Sequence, residues 1–226
     1  IYKCKIVKID PHGNISDFTK EKQDGLRPVL GMKVDPKRRI LWACSEVSGM
    51  KYKGAKASEN GWSGLFKYNL KDGTLMKKYT LHHKDQAHLF NDVVVATNGD
   101  VYVTDTISRE IYRVRYDADR LERFYSFDGF VALNGIAISH DQNRIIFSDE
   151  GLGILSLGLK AKDLKIIRAR NRSGLIGIDG LYLYRNSLIA VQNGMGVARV
   201  RRFYLDPKGE EIIRSETIDL DHPRYQ

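Results

Sequence analysis

The amino-acid sequence predicts an all-β protein, a β-propeller made of four-stranded antiparallel blades. One hairpin pattern recurs along the 226 residues: a polar residue precedes a β-branched strand, a tight turn follows, and a second strand returns. Asn-Gly between two such strands is the strongest short-range signal for a hairpin, and it occurs at Asn98-Gly99. Repeats of forty-odd residues with four strands each are typical of propeller blades. The repeats here are spaced by 61, 43 and 45 residues, measured between Gly31, Asp92, Gly135 and Gly180.

Each repeat predicts four strands whose composition follows their place in a blade. Inner strands are nearly continuous runs of Val, Ile and Leu, as expected if both faces pack against neighbouring blades. Outer strands such as 109–116 alternate apolar and polar residues, as expected if one face meets water. No stretch predicts a helix of convincing length. The predicted strands are 29–35, 39–45, 63–70 and 74–79; 91–96, 100–105, 109–116 and 120–125; 134–138, 144–149, 152–158 and 164–168; and 178–183, 187–192, 198–205 and 211–216.

The blades are predicted to form one domain over residues 1–226 that holds part of a propeller. Residues 1–18 match the two outer strands of a first blade, and residues 219–223 match the approach to a further blade. The count is about four and a half blades, lacking the inner strands of the first blade and most of the last. Because open sheet edges invite aggregation, we expect a longer, closed propeller. The complete blades are blade 2 at 29–79, blade 3 at 91–125, blade 4 at 134–168 and blade 5 at 178–216.

The composition disfavours some classes of function and leaves other properties open. The net charge is +9 and the pI is about 9.4, yet the basic residues are scattered, which favours a solvated basic surface over a nucleic-acid partner. No run approaches 18 apolar residues, so no transmembrane span is predicted. Cys4 and Cys44 are expected to be half-buried thiols, with one disulfide as the alternative. The compartment (periplasmic, secreted or cytoplasmic) and the oligomeric state stay open.

Polar side chains begin three successive inner strands, at the end of each strand that faces one opening of the central channel. They are Asn91, Asn134 and Asp179. Amide and carboxylate oxygens that converge on one point suit Ca²⁺, which takes roughly six to eight oxygen ligands, whereas softer metals prefer His or Cys. Asn and Asp are also common turn residues that bond their own backbone. Because three of them occur in register, we interpret them as a metal site.

The motifs Phe90-Asn91-Asp92, Asn134-Gly135-Ile136 and Asp179-Gly180-Leu181 resemble those of the SMP-30/gluconolactonase/LRE-like family. The resemblance extends over essentially the whole chain. It implies a six-bladed β-propeller, here partial, with a divalent cation in the central channel, usually Ca²⁺, and lactonase or esterase activity. It also implies a ligand set of one Glu, two Asn and one Asp, in which Asn91, Asn134 and Asp179 take the last three places. The Glu would precede Ile1, and Glu46 is not its equivalent because it ends the second strand of the following blade.

The function that the resemblance implies is hydrolysis of a small-molecule lactone or related ester. The cation, Ca²⁺ or another divalent ion such as Mg²⁺, Mn²⁺ or Zn²⁺, would polarise the substrate carbonyl and stabilise the oxyanion that forms on it. Asp179 would activate the attacking water as a general base. Two other classes stay open: a non-catalytic binding scaffold of the NHL kind, and a strictosidine-synthase-like enzyme that requires no metal.

Further site residues are expected around the same opening of the channel. His88, on the loop that enters the Asn91 strand, is a candidate base or substrate contact, with a solvated loop residue as the alternative. The insertion 46–62 is predicted to form a lid with Arg27, in which Tyr52 and Trp62 contact the substrate or pack on the blade. The second strands also end near this opening, and their last residues are candidates for lining the pocket or are solvated strand ends. These last residues are Asp105, Asp149 and Gln192.

Overall fold

The computed structural model describes residues 3–47, 56–82, 86–170 and 173–222. These residues are mostly β-strand, and their only helical segments are two short 3₁₀ turns, Gln23–Gly25 and Ala57–Glu59. Neither turn could span a membrane, since each is one turn long and no described helix is long and apolar enough. Four large sheets of mainly antiparallel strands make up the described chain, which confirms the predicted all-β propeller.

Nineteen strands build the described part of the chain. They are β1 (Val7–Ile9), β2 (Ile15–Asp17), β3 (Val29–Asp35), β4 (Ile40–Val47), β5 (Trp62–Asn69), β6 (Leu75–Leu81), β7 (Phe90–Val95), β8 (Val101–Asp105), β9 (Glu110–Arg115), β10 (Arg120–Ser126), β11 (Leu133–Ile138), β12 (Arg144–Asp149), β13 (Gly153–Gly158), β14 (Leu164–Ile166), β15 (Arg168–Ala169), β16 (Ile178–Tyr184), β17 (Ser187–Gln192), β18 (Arg199–Leu205) and β19 (Glu211–Leu220). Strands that are neighbours in the sequence are neighbours in each blade. Blade 2 holds β3 to β6, blade 3 holds β7 to β10, blade 4 holds β11 to β14, and blade 5 holds β16 to β19.

The passage from blade 4 to blade 5 differs from the predicted one. The strand predicted at 164–168 ends at Ile166, and the short strand β15 leaves blade 4 to pair in parallel with the start of β19. The outer strand predicted at 211–216 continues to Leu220, because two register shifts let it follow β18 along its whole length. Asp219 and Leu220 therefore belong to blade 5, whereas the sequence pattern placed them in the approach to a further blade.

The apolar core lies between neighbouring blades. Trp42 of blade 2 packs in one cluster with Phe90 and Tyr112 of blade 3. Phe130 and Phe147 belong to the cluster between blades 3 and 4, with ring centroids 5.7 Å apart and planes at 88°. A third cluster joins blades 4 and 5. The second strands β4, β8 and β12 are covered on both faces, so they need the nearly continuous apolar runs that the sequence shows. The first strands of blades 2 and 5, β3 and β16, are only partly covered, contrary to the expectation for inner strands.

Two glycines allow inner strands of neighbouring blades to approach each other closely. A Cβ atom on Gly31 would lie 2.5 Å from the carbonyl oxygen of Asn91. One on Gly135 would lie 2.3 Å from the backbone nitrogen of Leu181. A larger residue would have to push backbone atoms apart, so only glycine fits these positions without a shift. These contacts fix the position of one inner strand relative to the next along the channel. The first residues of these strands therefore lie around the same opening.

The two cysteines are buried and are not joined in a disulfide. Cys4 is 1% exposed and Cys44 is 0% exposed, which is more complete burial than the half-buried thiols expected from the strand pattern. Burial raises the pKa of both thiols. A thiol with a raised pKa carries little thiolate near neutral pH, so neither side chain is suited to nucleophilic chemistry.

The outer turn of blade 3 is tied to blade 2 through Asp119. Its carboxylate accepts hydrogen bonds from Lys77 Nζ at 2.6 Å and from the Tyr79 hydroxyl, and Lys67 Nζ lies 3.3 Å away. Partial desolvation raises the pKa of Asp119, but these donors and the positive charges outweigh it and lower the pKa to about 2. A carboxyl group with a lowered pKa stabilises the fold only while it is ionised.

We expect Asp119→Asn to lower the free energy of unfolding by about 1 kcal/mol or less near neutral pH, because the ion pairs are exposed to solvent. The folded-state pKa lies below the ordinary value of 3.8. The difference between the wild type and the variant should therefore be complete above about pH 4 and disappear as the pH falls toward about 2. Denaturant unfolding over this pH range measures it. Asp128→Asn, in the exposed loop after β10, is the control; a difference that stays constant down to the lowest pH would contradict the assignment.

Candidate functional site

The three residues predicted as metal ligands lie on the wall of one cavity at the channel opening. The cavity has a volume of about 550 Å³, and the inner strands of all four complete blades border it. Blades 3, 4 and 5 contribute Asn91, Asn134 and Asp179, whereas blade 2 contributes Leu30 at the same level. The structure therefore places in one site the polar residues that the repeat had aligned, and it places an apolar residue at the fourth position.

Asn91 and Asn134 are hydrogen-bonded directly to each other. The Asn91 Nδ2 donates to Asn134 Oδ1 at 2.8 Å and to Thr106 Oγ1 at 3.0 Å. The Thr106 hydroxyl donates in turn to the Leu133 carbonyl at 2.6 Å. These bonds join blades 3 and 4 at the opening. They also identify the donor end of the Asn91 amide, so its Oδ1 takes no part in them.

Asp179 lies at the exposed edge of the cavity, at the beginning of β16. Its Oδ2 accepts a hydrogen bond from Asn193 Nδ2 at 3.0 Å. Asn193 directly follows β17, and sequence reasoning stopped one residue before it, at Gln192. The bond restrains the orientation of the Asp179 carboxylate. The bond uses one of the two acceptor sites of Oδ2, so Oδ1 and the second site of Oδ2 could both meet a ligand.

A smaller cavity of about 230 Å³ adjoins the central one and shares Asn134 and Asp179 with it. Asn193 and Glu150, which follows β12, also border this smaller cavity. Sequence reasoning missed Glu150, because nothing in the pattern distinguishes it from other polar residues in turns. The site therefore extends between blades 4 and 5 and includes a second carboxylate beside Asp179.

Asp92 is a half-buried carboxylate at the position where the other three blades have glycine. Its Oδ2 accepts the backbone N–H of Ile136 at 3.0 Å, and its Oδ1 accepts that of Val93 at 2.8 Å. Burial raises the pKa of Asp92, although these N–H groups and the charge of Lys33 act in the opposite direction; the charge of Asp179 raises it further. The carboxylate thus connects the inner strands of blades 3 and 4. The missing glycine was the sequence signal that could have singled it out.

The oxygen donors around the central cavity are of the chemical type that a hard divalent cation prefers. Asn91, Asn134 and Asp179 offer amide and carboxylate oxygens, and the lining contributed by described residues contains no His or Cys. Within the described part of the chain, no group of three or more His, Cys, Asp or Glu side chains is arranged to hold a metal ion. A cation at this site would therefore be held by one carboxylate, two amides and further oxygens from water or substrate. Calcium binding stays a prediction.

His88 and Asp105 form a buried pair between the loop before β7 and the end of β8. The His88 Nδ1 lies 2.7 Å from Asp105 Oδ2, and the two side chains are 1% and 0% exposed. The other carboxylate oxygen of Asp105 accepts the backbone N–H groups of Leu89 at 2.9 Å and Ser108 at 3.1 Å. Neither His88 nor Asp105 belongs to the described lining of the central cavity. Their contacts hold the loop that carries the chain into Asn91.

Asp149 plays the corresponding part in blade 4. Its Oδ2 accepts the backbone N–H groups of Val131 and Ala132 at 2.9 and 3.1 Å, in the loop before β11. Its Oδ1 accepts those of Gly151 and Leu152, each at 2.9 Å, in the turn after β12. Asp149 is 1% exposed and borders neither cavity described above. One buried carboxylate thus holds both the loop before β11 and the turn after β12.

The same arrangement recurs in blades 2 and 5 with uncharged residues. Gln192 donates to the Ile176 carbonyl at 2.6 Å, in the loop before β16. Ser45 accepts the backbone N–H of Arg27 at 2.8 Å, in the loop before β3. In each described blade, a buried residue near the end of the second strand holds the loop that leads into the first strand. We call these four residues the latch residues: Ser45, Asp105, Asp149 and Gln192.

Arg27 lies beside the insertion that was predicted to form a lid. Its guanidinium pairs with Glu59 of the second 3₁₀ turn and donates to the Gly25 carbonyl at 3.2 Å. Trp62 packs against Phe66, with ring centroids 6.3 Å apart, which is the packing alternative. Neither Arg27 nor Trp62 is part of the described cavity lining. The prediction for Tyr52 lies outside the described residues.

No family model and no curated protein matches the sequence. Solved structures do match in fold. A gluconolactonase from Xanthomonas campestris has a TM-score of 0.60 at 18% identity, over 91% of this chain and 66% of its own. A virginiamycin B lyase from Staphylococcus aureus has a TM-score of 0.61 at 16% identity, over 98% of this chain and 64% of its own.

A third structure comes from a nidogen/laminin complex, with a TM-score of 0.57 at 11% identity, over 99% of this chain and 92% of the matched chain. At these identities the similarities establish the shared fold alone. The chain spans a little under two thirds of the length of the gluconolactonase and of the lyase. The motif resemblance predicts a structural neighbour such as the gluconolactonase. The other two structures, a lyase and a chain from a nidogen/laminin complex, share the fold but are named for other functions.

Proposed function

We propose that this protein is a metal-dependent hydrolase that acts on a lactone or a related small ester. The observation that carries the proposal is the convergence of Asn91, Asn134 and Asp179 on one cavity at the channel opening. Their oxygens would hold Ca²⁺ or another hard divalent ion. When bound, such an ion polarises a carbonyl and stabilises the oxyanion formed on it. The gluconolactonase among the structures of similar fold supports this chemistry.

The residues of the cavity divide into two roles in this proposal. Asn91 is held by its bonds to Asn134 and Thr106, which restrain the amide at the opening and limit reorganisation when substrate binds. Asp179 orients and deprotonates the attacking water through Oδ1, while Asn193 holds Oδ2. The cavity volume of about 550 Å³ is suited to a small molecule.

A second candidate is a binding propeller without catalytic activity, and one observation favours it. The Asn91 Nδ2 donates directly to Asn134 Oδ1 at 2.8 Å, so the Asn134 oxygen already has a protein partner. Such a pair could serve only to join blades 3 and 4. Cation binding separates the two candidates, because a purely structural pair gains nothing from an added ion.

We expect Ca²⁺ to raise the melting temperature relative to excess chelator by about 5 °C at a concentration far above its dissociation constant. Hydrolysis of δ-gluconolactone, followed by acid release, should require the ion. Asp179→Asn should lower kcat by about a hundredfold or more, since the amide cannot accept the proton from water.

Asp128→Asn, which lies outside both cavities, should leave the melting shift and the hydrolysis unchanged. If neither Ca²⁺ nor Mg²⁺, Mn²⁺ or Zn²⁺ moves the melting temperature, the metal site does not exist. Full activity of Asp179→Asn on lactones would remove this residue from the mechanism.

A further inference from the structure

Thr106 directly follows β8, borders the central cavity and connects the Asn91 amide to the backbone of blade 4. Its hydroxyl oxygen lies 2.6 Å from the Leu133 carbonyl oxygen and 3.0 Å from Asn91 Nδ2. A carbonyl oxygen can only accept a hydrogen bond, so the single hydroxyl proton of Thr106 is directed at Leu133. Toward Asn91 the hydroxyl therefore presents lone pairs alone, and it can only accept there.

This fixed direction determines which end of the Asn91 amide faces which neighbour. The amide nitrogen has two hydrogens, and it donates them to Thr106 Oγ1 and to Asn134 Oδ1. Asn134 alone does not impose this orientation, because its own amide could turn and donate to an oxygen of Asn91 instead. Thr106 does impose it, because its proton is already given to the Leu133 carbonyl. A turned Asn91 amide would place its oxygen against another oxygen with no hydrogen between them.

The Asn91 oxygen is left open to the central cavity. Among the described residues, no group donates a hydrogen bond to Asn91 Oδ1, yet this atom is not one of the buried polar atoms without a partner, so solvent reaches it. Asn91 itself borders the cavity. An amide oxygen with free lone pairs is a ligand for a hard cation. The amide nitrogen offers only hydrogens, so the orientation of this side chain decides what it can bind.

We propose that Thr106 is a positioning residue that keeps the oxygen of Asn91 turned toward the central cavity. The inference rests on the proposed function for the ion that this oxygen would meet, and it goes beyond it by naming the group that sets the polarity of the site. The order of action runs from the Leu133 carbonyl to the Thr106 hydroxyl and from there to the Asn91 amide. Thr106 itself is not a ligand in this proposal.

Thr104 provides a matched control. Its hydroxyl donates to the backbone carbonyl of Asn134 at 2.6 Å, so it joins blades 3 and 4 by the same kind of bond as Thr106. In the described part of the chain it makes no hydrogen bond to the Asn91 side chain. Thr104→Val and Thr106→Val each remove one bond between the blades, but only the second removes the acceptor that orients the amide.

Side-chain amide exchange in ion-free protein tests the inference without a ligand. The two N–H signals of Asn91, identified by NMR through their loss in Asn91→Asp, should exchange slowly with water in the wild type. Thr106→Val should accelerate their exchange about tenfold or more, whereas Thr106→Ser and Thr104→Val should stay within about threefold of the wild type. Rapid exchange of both signals in the wild type would overturn the inference without use of any variant.

Calcium binding measured by titration calorimetry gives the second readout. Thr106→Val should weaken Ca²⁺ binding about tenfold or more, and Thr106→Ser should restore it, since the serine hydroxyl can make both bonds. Thr104→Val should retain the affinity. An equal loss in Thr104→Val and Thr106→Val would show that the ion depends on the joining of the blades and not on the orientation of the amide, which refutes the proposal.

The two readouts separate this inference from the proposed function. If the wild type binds no divalent ion, the proposed function fails, and the exchange rates alone decide whether Thr106 orients Asn91. If the wild type binds Ca²⁺ and Thr106→Val keeps both the affinity and the slow exchange, the inference fails and the metal site stands.

Discussion

Gly135→Ala is expected to lower the free energy of unfolding by about 3 kcal/mol. The new Cβ would lie 2.3 Å from the backbone nitrogen of Leu181 and 2.8 Å from the carbonyl carbon of Gly180. These are backbone atoms, so no side-chain rotation relieves the contact, and the inner strands of blades 4 and 5 must separate. Urea unfolding of the purified variant measures the loss.

Gly180→Ala provides a matched control on the neighbouring inner strand. A Cβ at this position meets only the side chain of Val191, at 3.6 Å, which is an ordinary van der Waals distance. The control should therefore stay within about 0.5 kcal/mol of the wild type. Equal destabilisation by Gly135→Ala and Gly180→Ala would show that loss of glycine in a strand, and not the close approach of two blades, sets the effect.

Asp149→Ala is expected to destabilise the fold by about 3 kcal/mol as well, for a different physical reason. Four backbone N–H groups donate to this carboxylate, and its removal leaves them without a protein partner. Hydrogen bonds to a charged group contribute more than neutral ones, and a buried donor left unsatisfied costs about 1–3 kcal/mol. Water can reach part of the exposed loop at Val131, which limits the loss.

The measurement for Asp149→Ala is equilibrium unfolding together with amide hydrogen exchange. Exchange should accelerate at Val131, Ala132, Gly151 and Leu152, since these are the N–H groups released. Asp128→Ala removes an exposed carboxylate and should change neither stability nor these exchange rates. Unchanged protection of all four amides in Asp149→Ala would mean that the carboxylate does not hold the two loops.

Local patterns predicted most of the blade structure, because each blade is made of hairpins between residues close in sequence. The strands at 29–35, 144–149 and 187–192 have the predicted bounds. The transfer of Arg168–Ala169 to the edge of blade 5 was not predictable in this way. It depends on parallel pairing with residues more than forty positions away, and no local alternation encodes such a partner.

In the candidate site, too, residues set by the local repeat could be predicted, and residues set by distant contacts could not. Asn91, Asn134 and Asp179 could be grouped from the sequence because the repeat gives them equivalent positions. Glu150 and Asn193 could not, since they reach the site from turns whose geometry only the folded chain determines. Three of the latch residues, Asp105, Asp149 and Gln192, were predicted near the opening, but a polar residue at a strand end has the same pattern whether it meets a ligand or bonds the backbone of a loop.

The spacing of the latches along the chain has a consequence for how the protein reaches its fold. The bonds from Ser45, Asp105, Asp149 and Gln192 to the loops before the first strands span only 16 to 18 residues. The entropy lost on loop closure grows with loop length, so contacts this local are inexpensive to form early. The contact between Lys33 of blade 2 and Tyr182 of blade 5, by contrast, joins residues 149 positions apart in the sequence. Each blade can therefore form from its own segment of the chain during synthesis. The cavity is complete only after blade 5 has packed against blade 4, since Asp179 and Gly180 are part of its lining.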